Sequence, residues 1–180
     1  STTQVLPILP LRGTVVFPLT LVPLAAGQPR SLRLIDDVVS GDRIVGMVLQ
    51  KDPEQEGAGP GETYEIGTIA SIHQMMRVPD GTVRLAVQGQ RRMRIVEWLG
   101  EEPYLTARVE EIPEEVEDTV EIKALVRNSQ ELFQRLVSLV SNLPEELVTA
   151  ALNVDDPLHL VYLIASNLRM EAEERQALLE

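Results

Sequence analysis

Glycine and proline all but leave this chain two-thirds of the way along it. Every one of its 11 glycines lies at or before Gly100, and ten of its 12 prolines come before residue 114. These residues furnish turns and interrupt regular elements, so their disappearance marks a change of architecture. The reading is α+β: a β-rich barrel or sandwich with one helix over residues 1–113, then an all-α helical subdomain with one long helix over 114–180. Aromatics make up only 3% of the 180 residues, so the core must be built from Leu, Val and Ile.

Within the first region, Val83, Leu85 and Val87 alternate with Thr82, Arg84, Ala86 and Gln88, the period-two pattern of a strand with one buried face. Asp80-Gly81 just ahead of them signals a type I′ hairpin. With those two residues as the loop, Val78 faces Val83, Met76 faces Leu85 and Gln74 faces Val87. Met76 then points to the core, and Met75 points outward beside Arg77, Arg84 and Ala86. A loop longer by one residue exchanges the two methionines.

Upstream, residues 4–24 are apolar but broken by Pro7, Pro10, Pro18 and Pro23, which predicts strands that are short or at sheet edges. Phe17, Pro18, Leu19, Leu21 and Val22 either line the core or form an exposed patch. Pro29 to Gly41 reads as a helix with Leu32, Ile35 and Val39 on one face, and Ile44 to Leu49 as a buried strand. Lys51 to Thr63 is an acidic, Gly/Pro-rich loop expected to be mobile. Further strands cross Arg92–Leu99 and Tyr104–Ile112, giving about six short strands in a small twisted barrel or sandwich.

In the second region, Ile122, Leu125, Leu132, Leu136, Val140 and Leu143 keep helical spacing, predicting a helix from Val116 to Asn142 of roughly 40 Å. Pro144-Glu145-Glu146 and Asp156-Pro157 are further helix starts. Leu158, Val161, Tyr162, Ile164, Ala165 and Leu168 give the latter helix an apolar face. Met170 to Glu180 continues the helical pattern without a stop residue, and the first residue is Ser, so the expectation is a piece truncated from a longer chain.

The residues offer little chemistry. With no cysteine, thiol catalysis, disulfides and thiolate metal sites fall away together, and a reducing compartment is compatible with that. His73 and His159 lack zinc-site spacing, Gly57-Ala58-Gly59-Pro60-Gly61 lacks the lysine of a phosphate loop, and Ser71 and Ser129 sit in no nucleophile elbow. Acidic pairs such as Asp36-Asp37 are what a chain of net charge −12 produces by chance. That charge disfavours nucleic acid, and Arg91-Arg92-x-Arg94 reads as a solvated strand edge or an ion-pairing patch. No apolar run approaches the ~18 residues of a membrane span, and no secretory leader is visible. The expectation is a chain without catalytic residues, cofactor or metal of its own.

Leu9-Pro10-Leu11-Arg12, Val15-Val16-Phe17-Pro18, Gly67-Thr68-Ile69-Ala70-Ser71-Ile72, Gln74-Met75 and Pro79-Asp80-Gly81-Thr82 resemble, in that order, the N-terminal domain of bacterial Lon, the ATP-dependent AAA+ serine protease. The resemblance implies a PUA-like β-fold followed by helices. It implies a cytoplasmic substrate-recognition and assembly module whose partners are unfolded or damaged proteins and the other subunits of a homo-hexamer. The parent protease is implied to use ATP and Mg, with its ATPase and Ser-Lys protease modules outside this stretch. A surface that accepts many apolar sequences suits such a role, and methionine's flexible side chain suits such a surface. Met75, Met76, Val78 and Pro79 at the hairpin tip are therefore the first candidates for contact with clients. Phe17, Pro18, Leu19, Leu21 and Val22 are the second. A purely structural oligomerisation module is the alternative, and an RNA-binding PUA-like domain a weaker one.

Overall fold

The computed structural model describes residues 2–114, 119–139, 156–167 and 170–180. It divides into two compact units: residues 1–113 together with 170–180, and residues 114–169.

The first unit is built on a six-stranded sheet with strand order β2-β5-β4-β3-β1-β6, where β1 is Thr3–Leu11, β2 Leu21–Ala26, β3 Ile44–Leu49, β4 Ile66–Arg77, β5 Val83–Gly100 and β6 Thr106–Glu111. Because β6 pairs with both β1 and β5, five of the strands close on themselves as a barrel. The stretches expected as separate strands at 83–89 and 92–99 are one strand, β5, whose first half carries β2 and whose second half carries β6. Helix α1, Pro29–Ser40, buries Leu34, Ile35 and Val38. They join a core cluster with Val83, Leu85 and Val87 of β5. A second cluster fills the other end of the barrel around Ile69, Met93, Leu105 and Val109.

The prolines of β1 do not make it short or peripheral: it is nine residues long and lies between β3 and β6. β6 pairs with Thr3–Pro7 and β3 with Ile8–Leu11. Ile8 donates its N–H to Leu105 O on the β6 side, at 2.8 Å. By alternation the nitrogen of Pro7 faces the β3 side before that pairing begins, and that of Pro10 faces the β6 side after its pairing has ended. Neither missing donor is needed.

The loop at 51–63 is tied down at several points. Gln50 Nε2 donates to Asp52 O and Gln55 O, Arg12 Nε to Pro53 O and Arg30 to Ala58 O. The expectation of a mobile segment overlooked these anchors, of which the buried Gln50 is the central one.

Helix α2 spans Val120–Leu139 and α3 Pro157–Asn167. Asp156 caps α3 by accepting from Leu158 N–H at 3.0 Å, as the Asp-Pro start implies. Val126 of α2, beside Phe133, packs with Leu160, Leu163 and Ile164 of α3. The ends of the long helix at Val116 and Asn142, its residues Val140 and Leu143, the start at Pro144-Glu145-Glu146, and Leu168 all lie outside the described residues. The last helix, α4 (Ala172–Leu179), groups with the β-rich unit, although the composition break placed it with the helices before it. It is fastened there by Gln176 Nε2 to Ile66 O at 2.8 Å and by Arg92 to Leu179 O at 3.1 Å.

Candidate functional site

The hairpin register differs by one residue from the expected one. Arg77 pairs with Val83, Met76 with Arg84, Met75 with Leu85 and Gln74 with Ala86. Pro79 is the cause. A two-residue Asp80-Gly81 loop would make Pro79 and Thr82 the closing pair, and proline has no N–H to donate across it. The chain instead closes at Val78, whose N–H donates to Thr82 O at 2.9 Å, and turns through Pro79 and Asp80 with Gly81 N–H to Val78 O at 3.0 Å. Gly81 then takes a φ of +91°, which its missing Cβ permits. Asp80 accepts from both the hydroxyl and the N–H of Thr82, and these hydrogen bonds hold its carboxyl below the usual carboxylate range.

As a consequence, the two methionines exchange places. Met75 is half-buried and packs on the core cluster, whereas Met76, expected inside, is 61% exposed. Val78 is half-buried and Pro79 exposed. Cross-strand partners share a face, so Met76 lies on the outer face with Arg84 and Ala25, Gln74 with Ala86 and Pro23, and Ser71 with Gln88 and Leu21. Leu21 is 64% exposed. The outer face of β4-β5-β2 therefore carries Met76, Ala86, Ala25, Pro23 and Leu21, its ends about 17 Å apart by strand spacings.

The second group of candidates splits. Phe17 and Pro18 are buried and Val22 is half-buried, while Leu19 and Leu21 are exposed. The chain is pinned to β5 here: Leu19 N–H donates to Gly89 O and Gly89 N–H to Thr20 O, both at 2.9 Å. Thr20 Oγ1 donates to Phe17 O at 2.7 Å. These bonds hold Leu19 at a φ of +64°, a conformation that a leucine adopts only when its surroundings impose it.

One feature of the site escaped sequence reasoning. β3 pairs with β4 only as far as Ser71, so Gln74–Arg77 has a strand on the β5 side alone. An open concavity of about 650 Å³ lies along that stretch, lined by Val39 and Arg43 as well as Met75 and Met76. The signal was available in the lengths, since a strand of six residues cannot cover one of twelve.

The remaining charged groups serve structure. Arg91 pairs with Glu111 at 3.0 Å, as a solvated strand edge would, and Arg92 reaches α4. Asp36 pairs with Arg77 at 2.6 Å. Asp37 accepts from Tyr104 Oη at 2.9 Å, and burial together with that contact raises the Tyr104 hydroxyl above its ordinary pKa. His73 is exposed on β4, and His159 is half-buried in α3. Among the described residues no group of three or more His, Cys, Asp or Glu could hold a metal, and no helix is long and apolar enough to cross a membrane.

Residues 5–180 match the family model described as the ATP-dependent protease La (LON) substrate-binding domain. Over 177 residues the chain is 46% identical to the Lon protease of Dictyoglomus thermophilum, covering 98% of this chain and 22% of that protein. It is 40% identical over 176 residues to Lon protease 1 of Herpetosiphon aurantiacus, again spanning 22% of its length. The N-terminal domain of a Mycobacterium avium complex Lon protease superposes with a TM-score of 0.75 at 27% identity, covering 98% of this chain and 90% of that one. A Lon N-terminal domain protein from Xanthomonas campestris shares the fold, with a TM-score of 0.54 at 21% identity and coverage of 92% and 99%.

Proposed function

This chain belongs to the Lon substrate-binding domain family, and from that premise we propose that it binds exposed hydrophobic segments of unfolded or damaged proteins for a cytoplasmic ATP-dependent protease. The observation that carries the reading is the outer face of β4-β5-β2, where Met76 and Leu21 stand exposed on one surface with small apolar residues between them. Large side chains offered to water in this way mark contact surfaces. The strained Leu19, 40% exposed, adds to the supply. A flexible methionine accommodates clients of differing shape. Weak contact to one copy suffices where several copies on a ring raise the effective concentration. On this reading the chemistry of the parent, with its ATP and Mg, resides in the rest of a protein of which this chain is about a fifth.

The test is the double variant Met76→Glu, Leu21→Glu against a reduced and alkylated, permanently unfolded protein. Binding is expected to weaken at least 10-fold. The unfolding free energy should change by no more than about 0.5 kcal/mol per site, because both side chains are exposed. Met75→Ser, by contrast, should lower stability through its core contacts. Wild-type affinity in the double variant would sink the reading.

A second reading, assembly through the long helix, has its own support. Leu125, Leu132, Leu136 and Leu139 are all exposed on α2. Their spacing, with Ile122, is that of a heptad seam. They lie apart from the Val126 and Phe133 side that packs on α3. If this stripe joins copies of the chain, sedimentation velocity should show concentration-dependent association that Leu132→Glu abolishes. A wild-type chain that stays monomeric at high concentration would refute it.

A further inference from the structure

Among the described residues, several stretches of strand in the barrel lack a partner on one side, and they differ in how the open edge is finished. Thr20 O accepts from Gly89 N–H. By alternation Val22 and Leu24 then face β5, and Leu21, Pro23 and Ala25 present their backbone groups outward. The open edge of β2 thus contains a proline. So does β1 beyond the end of its β6 pairing, at Pro10. Proline on an exposed edge removes a donor and discourages another strand from adding there.

The open stretch Gln74–Arg77 of β4 contains no proline. The Val78 N–H to Thr82 O bond sets its phase. Met76 and Gln74 bond toward β5, and the N–H and C=O of Met75 and Arg77 point to the open side. Arg43 closes one end of this gap, with its guanidinium on Ile72 O and His73 O, and the Arg77–Asp36 pair closes the other. The cavity of about 650 Å³ beside it is within the ~300–1,000 Å³ span of ligand pockets. Val39, Met75 and Leu85 supply its apolar wall, and Arg43 and Arg84 its charge, with no carboxylate among the lining side chains. In a chain of net charge −12 that local balance is the opposite of the average.

We infer that this edge takes up a client as an added β-strand, selecting extended segments in which an apolar residue is flanked by acidic ones. The inference rests on the client-binding reading above and names the conformation and charge of what is bound. Main-chain pairing with Met75 and Arg77 holds any sequence, which a receptor of many clients requires. The alternate side chains of the added strand fall to Val39 and Met75 on one face and to Met76 on the other. Acidic flanks meet Arg43 and Arg84.

The test uses fluorescein-labelled decapeptides with a Leu-Val-Phe centre and Asp/Glu flanks, titrated with the 180-residue chain. Two versions carry N-methyl groups on alternate backbone nitrogens, one set odd and one even. Pairing predicts that one set loses at least 10-fold in affinity and the other binds as the parent peptide does. Lysine-flanked peptide should bind at least 10-fold more weakly than the acidic one, and the amide resonances of Met75 and Arg77 should shift on binding. Equal binding by both methylated sets overturns the inference while leaving apolar client recognition intact. So do equal losses in both, or resonance shifts confined to Leu19 and Leu21. Dimerisation that occupies the Met75 and Arg77 amides without peptide also overturns it, by giving the edge to a second copy. Failure of both the peptides and the unfolded protein to bind would remove the proposed function itself.

Discussion

Phe17→Ala is expected to cost the β-rich unit about 3–5 kcal/mol, although Phe17 belongs to the same apolar run as the exposed Leu19 and Leu21. Its side chain is 0% exposed, and the segment around it is fixed to β5 by the Leu19–Gly89 and Gly89–Thr20 hydrogen bonds. The backbone cannot close readily over the space that the ring leaves, so the cost includes a cavity as well as lost burial. Four residues along, Leu21→Gln should change stability by no more than about 0.5 kcal/mol, since the side chain is already 64% exposed. Urea unfolding followed by the fluorescence of Trp98, the single tryptophan, reads this unit, because Trp98 lies in β5. Against a total stability of ~5–15 kcal/mol, the two variants should separate without ambiguity. A loss below about 1 kcal/mol for Phe17→Ala would mean the segment does not sit against β5 as described.

That contrast shows what periodicity could and could not reveal. Alternation over Thr82–Gln88 and the stripe of α1 are local signals, and both elements form where those signals fall. The run from Phe17 to Val22 has no such period. Its division into buried and exposed halves depends on where Gly89 receives the chain, a contact more than 70 residues away in sequence. The Phe17 Cβ direction is set by that long-range bridge, so composition alone could favour the core for the run as a whole but not say which of its residues lie there. The C-terminal helix is a similar case. Its amphipathic pattern is faint, and what assigns it to the barrel is Gln176 reaching Ile66 O and Arg92 reaching back to Leu179 O.

The hairpin teaches a different lesson, because the deciding residue was in plain view. Asp80-Gly81 favours the shorter loop, but Pro79 beside it cannot supply the closing N–H, and this steric and hydrogen-bonding veto outweighs a turn preference. One residue of register then moves Met75 inward and Met76 outward. An exposed methionine survives the shift, because the tip carries two adjacent methionines and either register exposes one. Only the strand lengths foreshadowed the bare edge of β4, which exists because β3 begins at Ile44, opposite Ser71, and does not reach Gln74–Arg77.

Gly67→Ala is the other substitution expected to act strongly, and its sign is informative. In an ordinary strand, replacing glycine removes unfolded-state entropy and stabilises by about 0.4–1 kcal/mol where the conformation is tolerated. Gly67 has no positive φ to lose, so conformation alone gives no reason for a penalty. A Cβ there, however, would stand 2.2 Å from Met47 O and 2.7 Å from Val48 Cγ1. The carbonyl belongs to β3, which is paired to β4 on this side and to β1 on the other, so it cannot yield without disturbing two ladders. A cost of about 3 kcal/mol or more follows, at the upper end of overpacking. Gly46 provides the comparison: its Cβ would meet Ile8 Cδ1 at 2.7 Å and Met93 Cε at 2.8 Å, both ends of flexible side chains. Gly46→Ala should therefore be distinctly milder. Urea midpoints of the two variants, read through Trp98, should fall in that order. A Gly67→Ala protein as stable as wild type would show that β3 and β4 do not approach as closely as the barrel requires.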